Sequence, residues 1–161
     1  QYSILVFSRM TPKQAKIEEI KEVYGIFHKH KEIFPHVRFD YLQRKIDSGC
    51  CVYDDGVVIT YTIYKRKNRI WNQNVANKGD VMLHQIVNAN PSNGKSSDVL
   101  QGFFEHTVEG KIVWLTVRAD NKRAIKFYEK IGFDDMGDIY WMKGKLPGKV
   151  FRHLPKTVSV I

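Results

Sequence analysis

The sequence is short of cysteine, of proline, of acids and of long apolar runs. Of its 161 residues only Cys50 and Cys51 are cysteines, and they are adjacent. Neighbours in an extended chain point to opposite faces, so the two make poor disulfide partners. Reduced thiols, and with them a cytoplasmic setting, are the expectation. The same scarcity excludes a cysteine-rich zinc module, and the six His show no paired ligand spacing, so no metal is expected. No stretch approaches the roughly 20 apolar residues of a membrane span. The apolar start Ile4–Phe7 is too short for a signal-peptide core, and no membrane partner is expected. Only 17 acids face 26 Lys and Arg, a formal charge of +9. That surplus favours polyanions: a phosphorylated cofactor, nucleic acid or an acidic surface.

What is present suffices for a core. The hydrophobic fraction is 43% with 12% aromatic, in a chain long enough for one domain. Tyr2–Phe7 reads as a strand. Thr11-Pro12-Lys13-Gln14 carries a helix-start pattern, with Thr as cap and Pro in the first turn. Ile17, Ile20, Tyr24 and Phe27 follow at helical spacing, and Val37–Ile46 gives a second amphipathic segment that stops at Gly49. Cys50–Tyr53, the turn Asp54-Asp55-Gly56 and Val57–Tyr64 read as a hairpin. Residues 70–80 are polar and ambiguous, and Val81–Val87 is a strand. A helix from about Ser96, a strand over Ile112–Val117, and a helix capped by Asn121 and closed by Gly132 come next. Phe133–Met136 and Ile139–Lys145 finish as strands. From Lys143 onward five basic residues, no acid and two prolines suggest an extended or loosely packed end.

The strongest local signal runs from Asn121 through Ala124, Phe127, Tyr128, Glu129, Lys130 and Gly132 to Phe133. As pattern alone it is a capped amphipathic helix leading into a strand, with the Tyr128 hydroxyl in need of a partner. It closely resembles the C-terminal signature of the GNAT-type N-acetyltransferase superfamily, N-x-x-A-x-x-[FL]-Y-E-K-x-G-F. The element order is similar to that family's over residues 1–146. The resemblance implies an α/β (α+β) domain at 1–146, with a mixed, mostly antiparallel sheet of about seven strands and about four helices on its faces. Strands splayed at their ends would form a coenzyme cleft, and residues 147–161 would be a basic C-terminal tail.

What the resemblance implies for chemistry is specific. Tyr128 would return a proton to the leaving thiolate of acetyl-CoA, the co-substrate. Asn121 would contact the pantetheine or phosphate arm, with Ala124 and Phe127 beside it, and the backbone of Ile86, Val87 and Asn88 would bond the pantetheine amides. An alkyl amine is mostly protonated near neutral pH, so a base must take its proton. The strand before the phosphate loop offers His84 and, at its start, Asp80. His84 suits the task by its ordinary pKa near 6.5, yet a packed, structural histidine is an equally good reading.

The phosphate loop departs from the family's Q/R-x-x-G-x-G/A. One register places Asn93, Ser96 and Asp98 at the signature positions and puts a carboxylate where the anion belongs. The other places Pro91, Gly94 and Ser96 there and is preferred. Gly94, Lys95, Ser96 and Ser97 would then cradle phosphate with small side chains, hydroxyls and a cation. An ordinary capped turn opening a helix fits the same residues. Trp71, Trp114 and Trp141 read as packing, and Lys65–Arg69 as a solvated strand end.

The expectation is an acyl-CoA-dependent N-acyltransferase passing an acetyl group to a primary amine within a ternary complex. The acceptor would be a small molecule or a peptide, met by residues such as His36, Arg38 and Tyr41. Nucleic acid is a possible but less favoured partner, and a DNA-base-modifying enzyme or a non-catalytic binding module of the same fold are the alternatives. The chain would act as a monomer or homodimer.

Overall fold

The computed structural model describes residues 10–156. The expected first strand, residues 2–7, lies outside them. A 3-10 turn, Ile17–Glu19, leads into α1 (Ile20–Lys29), followed by α2 (Phe39–Asp47), β1 (Cys51–Asp54), β2 (Val57–Ile63), β3 (Asn68–Trp71) and β4 (Asn74–Ala76). Then come β5 (Val81–Asn88), α3 (Lys95–Gly102), a π-helical turn at Phe103–Thr107, β6 (Val113–Arg118), α4 (Lys122–Ile131), β7 (Asp134–Trp141) and β8 (Leu146–His153). Six strands form one sheet in the order β1-β2-β5-β6-β8-β7, and β3 and β4 form a separate pair. Of the registered pairs only β5 with β6 is parallel. The described residues divide into two compact units, residues 10–61 with 85–109, and residues 62–84 with 110–156.

In the unit of residues 10–61 and 85–109, the expected helix start at Thr11 gives way to strand pairing. The Tyr53 amide donates to the Lys13 carbonyl at 2.9 Å, and the Ala15 amide donates to the Cys51 carbonyl at 2.8 Å. A backbone satisfied by a neighbouring strand has no use for the Thr cap, so the helix waits until Ile17. There the Lys16 amide donates to Glu19 Oε1 at 2.9 Å. Ile20, Val23, Ile26 and Phe27 of α1 pack with Leu42 and Ile46 of α2 and with Cys51, Val58 and Val87. Burying side chains such as Phe27 and Leu42, exposed by 1% and 0%, contributes about 1.5–3 kcal/mol each. The β1–β2 hairpin closes through Asp55 and Gly56, both at positive φ (53° and 79°). That is what an Asp-Gly pair supplies in a two-residue turn.

In the unit of residues 62–84 and 110–156, the ambiguous polar stretch is a hairpin. Trp71 opposes Asn74, and Asn72 takes the left-handed conformation (φ 48°) between them. Ala76 of this hairpin packs with Trp114, Ile139 and Val150, and Trp71 and Trp141 flank them. The three tryptophans are packing residues, as read. Asn74 is buried and donates from Nδ2 to the Met136 carbonyl at 3.0 Å.

The basic end needs correction. Residues 146–153 are no loose tail but β8, paired with β6 on one side and β7 on the other. The boundary drawn after residue 146 falls inside this strand, whose Val150 and Phe151 are fully buried. Lys149 and Arg152 lie on opposite faces of this strand, both half-buried, and each has its own partners. Lys149 Nζ lies 3.2 Å from Asp135 and 3.1 Å from Asp138, and the Arg152 guanidinium sits 5.9 Å from the Trp114 ring centre. Likewise, the two short strands expected over 133–145 are one strand, β7, with an irregularity between Asp135 and Asp138.

Candidate active-site residues

Each unit carries part of the expected constellation. In the unit of residues 10–61 and 85–109, Val87 is buried while Ile86 and Asn88 are half-buried at the end of β5. The turn that follows is held by asparagines. Asn88 accepts from the Asn90 amide at 2.9 Å and donates from Nδ2 to Asn93 Oδ1 at 2.8 Å, and the same oxygen accepts from the Lys95 amide at 3.0 Å. Ser92 and Gly94 are left-handed, with φ of 73° and 78°. Gly94 at the N-cap has no side chain to cap α3, and a Cβ there would meet nothing within 4 Å. Beyond the Lys95 amide, which Asn93 answers, the first turn of a helix presents N–H donors and a positive partial charge. Ser96 and Ser97 sit in that turn, half-buried. Lys95 directs its ammonium to Asp55 at 3.5 Å, so part of its charge is already answered.

The acceptor candidates do not form one group. Tyr41 is half-buried, and its hydroxyl donates to Gln85 Oε1 at 3.0 Å and approaches Thr60 Oγ1 at 3.4 Å. The Thr60 hydroxyl donates to the same Gln85 oxygen. Burial raises the Tyr41 phenol above its ordinary value of 10, and its two hydrogen bonds only partly oppose that. His36 and Arg38 are exposed, in the segment before α2. Nothing in the local sequence marks Thr60 as a partner of Tyr41 and Gln85. A second polar residue beside His84, between apolar stretches of β5, is the available signal for Gln85.

In the unit of residues 62–84 and 110–156, Asp80 is buried at 8% exposure. Its Oδ2 accepts from the Asn77 amide at 2.9 Å and from Trp114 Nε1 at 3.0 Å. Those bonds explain Asp80 as an anchor for the turn into β5. His84 is exposed, with Nε2 2.7 Å from Thr62 Oγ1. Within this unit the β5–β6 ladder covers Val81 with Val113 and Met82 with Trp114 and stops before Leu83.

The Asn121–Phe133 segment folds as its residues dictate. Asn121 Oδ1 accepts from the Ala124 amide at 3.2 Å, which leaves its Nδ2 donors for another partner. Gly132 closes α4 at φ 112°. Tyr128 and Ile131 are buried, while Ala124 and Phe127 are half-buried. The Tyr128 ring packs at 5.5 Å from Phe127, 5.5 Å from Phe133 and 6.3 Å from Phe151. Burial alone pushes its phenol well above the ordinary 10. No described residue hydrogen-bonds to that hydroxyl. Among the described residues no group of three or more His, Cys, Asp or Glu could hold a metal ion, and no helix is long and apolar enough to cross a membrane.

Comparison with known proteins bears on this arrangement. Residues 94–142, from the α3 turn through α4 and β7, match the family model described as FR47-like protein. A GNAT-family acetyltransferase from Bacillus cereus shares 18% identity over 90% of this chain and 96% of its own, with a TM-score of 0.68. One from Streptococcus agalactiae shares 14% over 96% and 100%, with a TM-score of 0.70. The NatC complex bound to Gag peptide and CoA aligns at 10% identity over 88% and 93%, with a TM-score of 0.58. No curated protein matches the sequence. The chain therefore has the fold of the GNAT acetyltransferases, and the likeness read from residues 121–133 extends over nearly its whole length.

Proposed function

We propose that this chain transfers an acetyl group from acetyl-CoA to a primary amine by direct attack. The observation that carries the reading is Tyr128: a buried phenol on the signature helix, with no hydrogen-bond partner among the described residues. The co-substrate would supply an activated thioester. Its diphosphate suits the first turn of α3, where Gly94 leaves open space beside the N–H groups of Ser96 and Ser97. The backbone of Ile86, Val87 and Asn88 and the Nδ2 of Asn121 would serve its pantetheine and phosphate arm.

In the reaction the amine lone pair forms a bond to the acyl carbon, the carbon–sulfur bond breaks, and sulfur departs with the electron pair. The amine proton goes to His84 directly or through water. Asp80 is the weaker choice, because its buried carboxylate oxygen already accepts two hydrogen bonds. A phenol held above 10 is a weaker acid than a thiol near 8.5, so complete transfer to the thiolate is uphill. What Tyr128 supplies is a charge-assisted hydrogen bond to the departing sulfur. Losing a bond of that kind costs about 1.5–3 kcal/mol, or roughly 10- to 150-fold in rate.

Free-thiol release from acetyl-CoA, measured with a polyamine, a peptide N-terminus and a lysine peptide as acceptors, tests this. Tyr128→Phe should lower kcat by about 10- to 100-fold and leave the KM for acetyl-CoA unchanged. An unchanged kcat would remove Tyr128 from the chemistry.

A further inference from the structure

The +9 surplus is not spread evenly. Lys65, Arg66, Lys67 and Arg69 are four cations in five positions running from the end of β2 into β3, all exposed. Backbone hydrogen bonds stitch this turn to two other segments of its own unit. The Tyr64 amide donates to the Asp80 carbonyl at 2.9 Å, the Gly79 amide to the Tyr64 carbonyl at 2.8 Å, and the Val81 amide to the Ile112 carbonyl at 2.9 Å. The second segment brings the exposed Lys78. The third brings Lys111, whose Nζ lies 4.0 Å from the point a Cβ on Gly79 would occupy. Three stretches distant in sequence thus deliver six cations to one corner. None of the six enters an ion pair among the described residues. The carboxylate at this corner, Asp80, is turned inward and bonded to Trp114. By contrast, Lys149 and Arg118 elsewhere in the unit are paired with aspartates.

Gathering like charges without acids is unfavourable for the isolated protein, and a polyanion relieves it. The nearby aromatic residues, Tyr64, Trp71 and Trp114, are committed to packing, so the corner offers no exposed base-stacking platform. What remains is a set of flexible cations that suit a phosphate backbone and read no sequence. We propose that the corner built from Lys65, Arg66, Lys67, Arg69, Lys78 and Lys111 binds the phosphate backbone of a nucleic acid. This proposal does not depend on acetyl transfer.

Fluorescence anisotropy of labelled 20-nucleotide single and double strands, titrated from about 50 to 200 mM salt, tests it. With four to six phosphates engaged, log K should fall against log salt with a slope of about −3 to −5. Lys65→Gln, Arg66→Gln and Lys67→Gln together should weaken binding at least tenfold and flatten the slope by about 2 to 3. The charge-matched control, Lys21→Gln, Lys29→Gln and Lys31→Gln in the other unit, should change affinity less than twofold. All six positions are exposed, and equal thermal midpoints for both variants confirm their folding. Equal weakening by both triples would mean attraction by net charge alone and would overturn the proposal. So would salt-independent binding, no binding at all, or tighter binding of a poly-glutamate of matched charge.

Discussion

Burial acts on Tyr128 and His153 through one mechanism with opposite signs. Desolvation disfavours the charged form, so the phenol rises and keeps its proton while the imidazole falls and loses its own. His153, 5% exposed beside the Phe133 ring, is lowered from 6.5 to about 4, mainly by burial, with Lys156 adding to the shift and Asp134 opposing it. The unfolded chain takes up this proton near pH 6.5 and the folded one only near 4. The stabilisation from a neutral His153 is therefore complete above about pH 6.5, declines as pH falls toward 4, and is gone below it. The expected loss is on the order of 1–3 kcal/mol across that window. Urea unfolding at pH 7.5, 5.5 and 4.5 should show it, and His153→Gln should remove that part of the pH dependence. Asp80 gives a second test at this scale. Asp80→Ala strands the Trp114 indole N–H and the Asn77 amide, and should cost about 1–3 kcal/mol.

At the scale of elements, β8 shows how much a strand depends on its neighbours. Gly148 sits where a Cβ would lie 2.4 Å from the Trp141 ring and 2.8 Å from the Val117 carbonyl oxygen. The carbonyl belongs to the sheet and cannot yield, so Gly148→Ala should cost about 1–3 kcal/mol and lower Tm by several degrees. Gly94→Ala makes the contrast: space is open there, and only the left-handed backbone resists, at about 1 kcal/mol. Local signals were the legible ones. Asn121 and Gly132 bound α4 as read, because a cap and a left-handed stop act within one turn. Asp55-Gly56 made its hairpin for the same reason. Thr11-Pro12 misled because β1, about 40 residues onward in sequence, claims Lys13 and Ala15. β8 went unread because Lys149 and Arg152 owe their positions to Asp135, Asp138 and Trp114, which no local window contains. Asp80 and Tyr41 were visible as candidates, but their partners, Trp114 and Gln85, lie 34 and 44 residues away.

At the scale of the whole molecule, the two proposals name different ligands. Acetyl-CoA is proposed for Tyr128 and the first turn of α3, and a longer polyanion for the Lys65–Arg69 corner, whose cations make no ion pair among the described residues. Calorimetric titration of the protein with acetyl-CoA decides the first of these. One site with Kd below roughly 100 μM, about −5.5 kcal/mol, is expected, with weaker binding by Gly94→Ala. Absence of any binding heat at millimolar acetyl-CoA would contradict it.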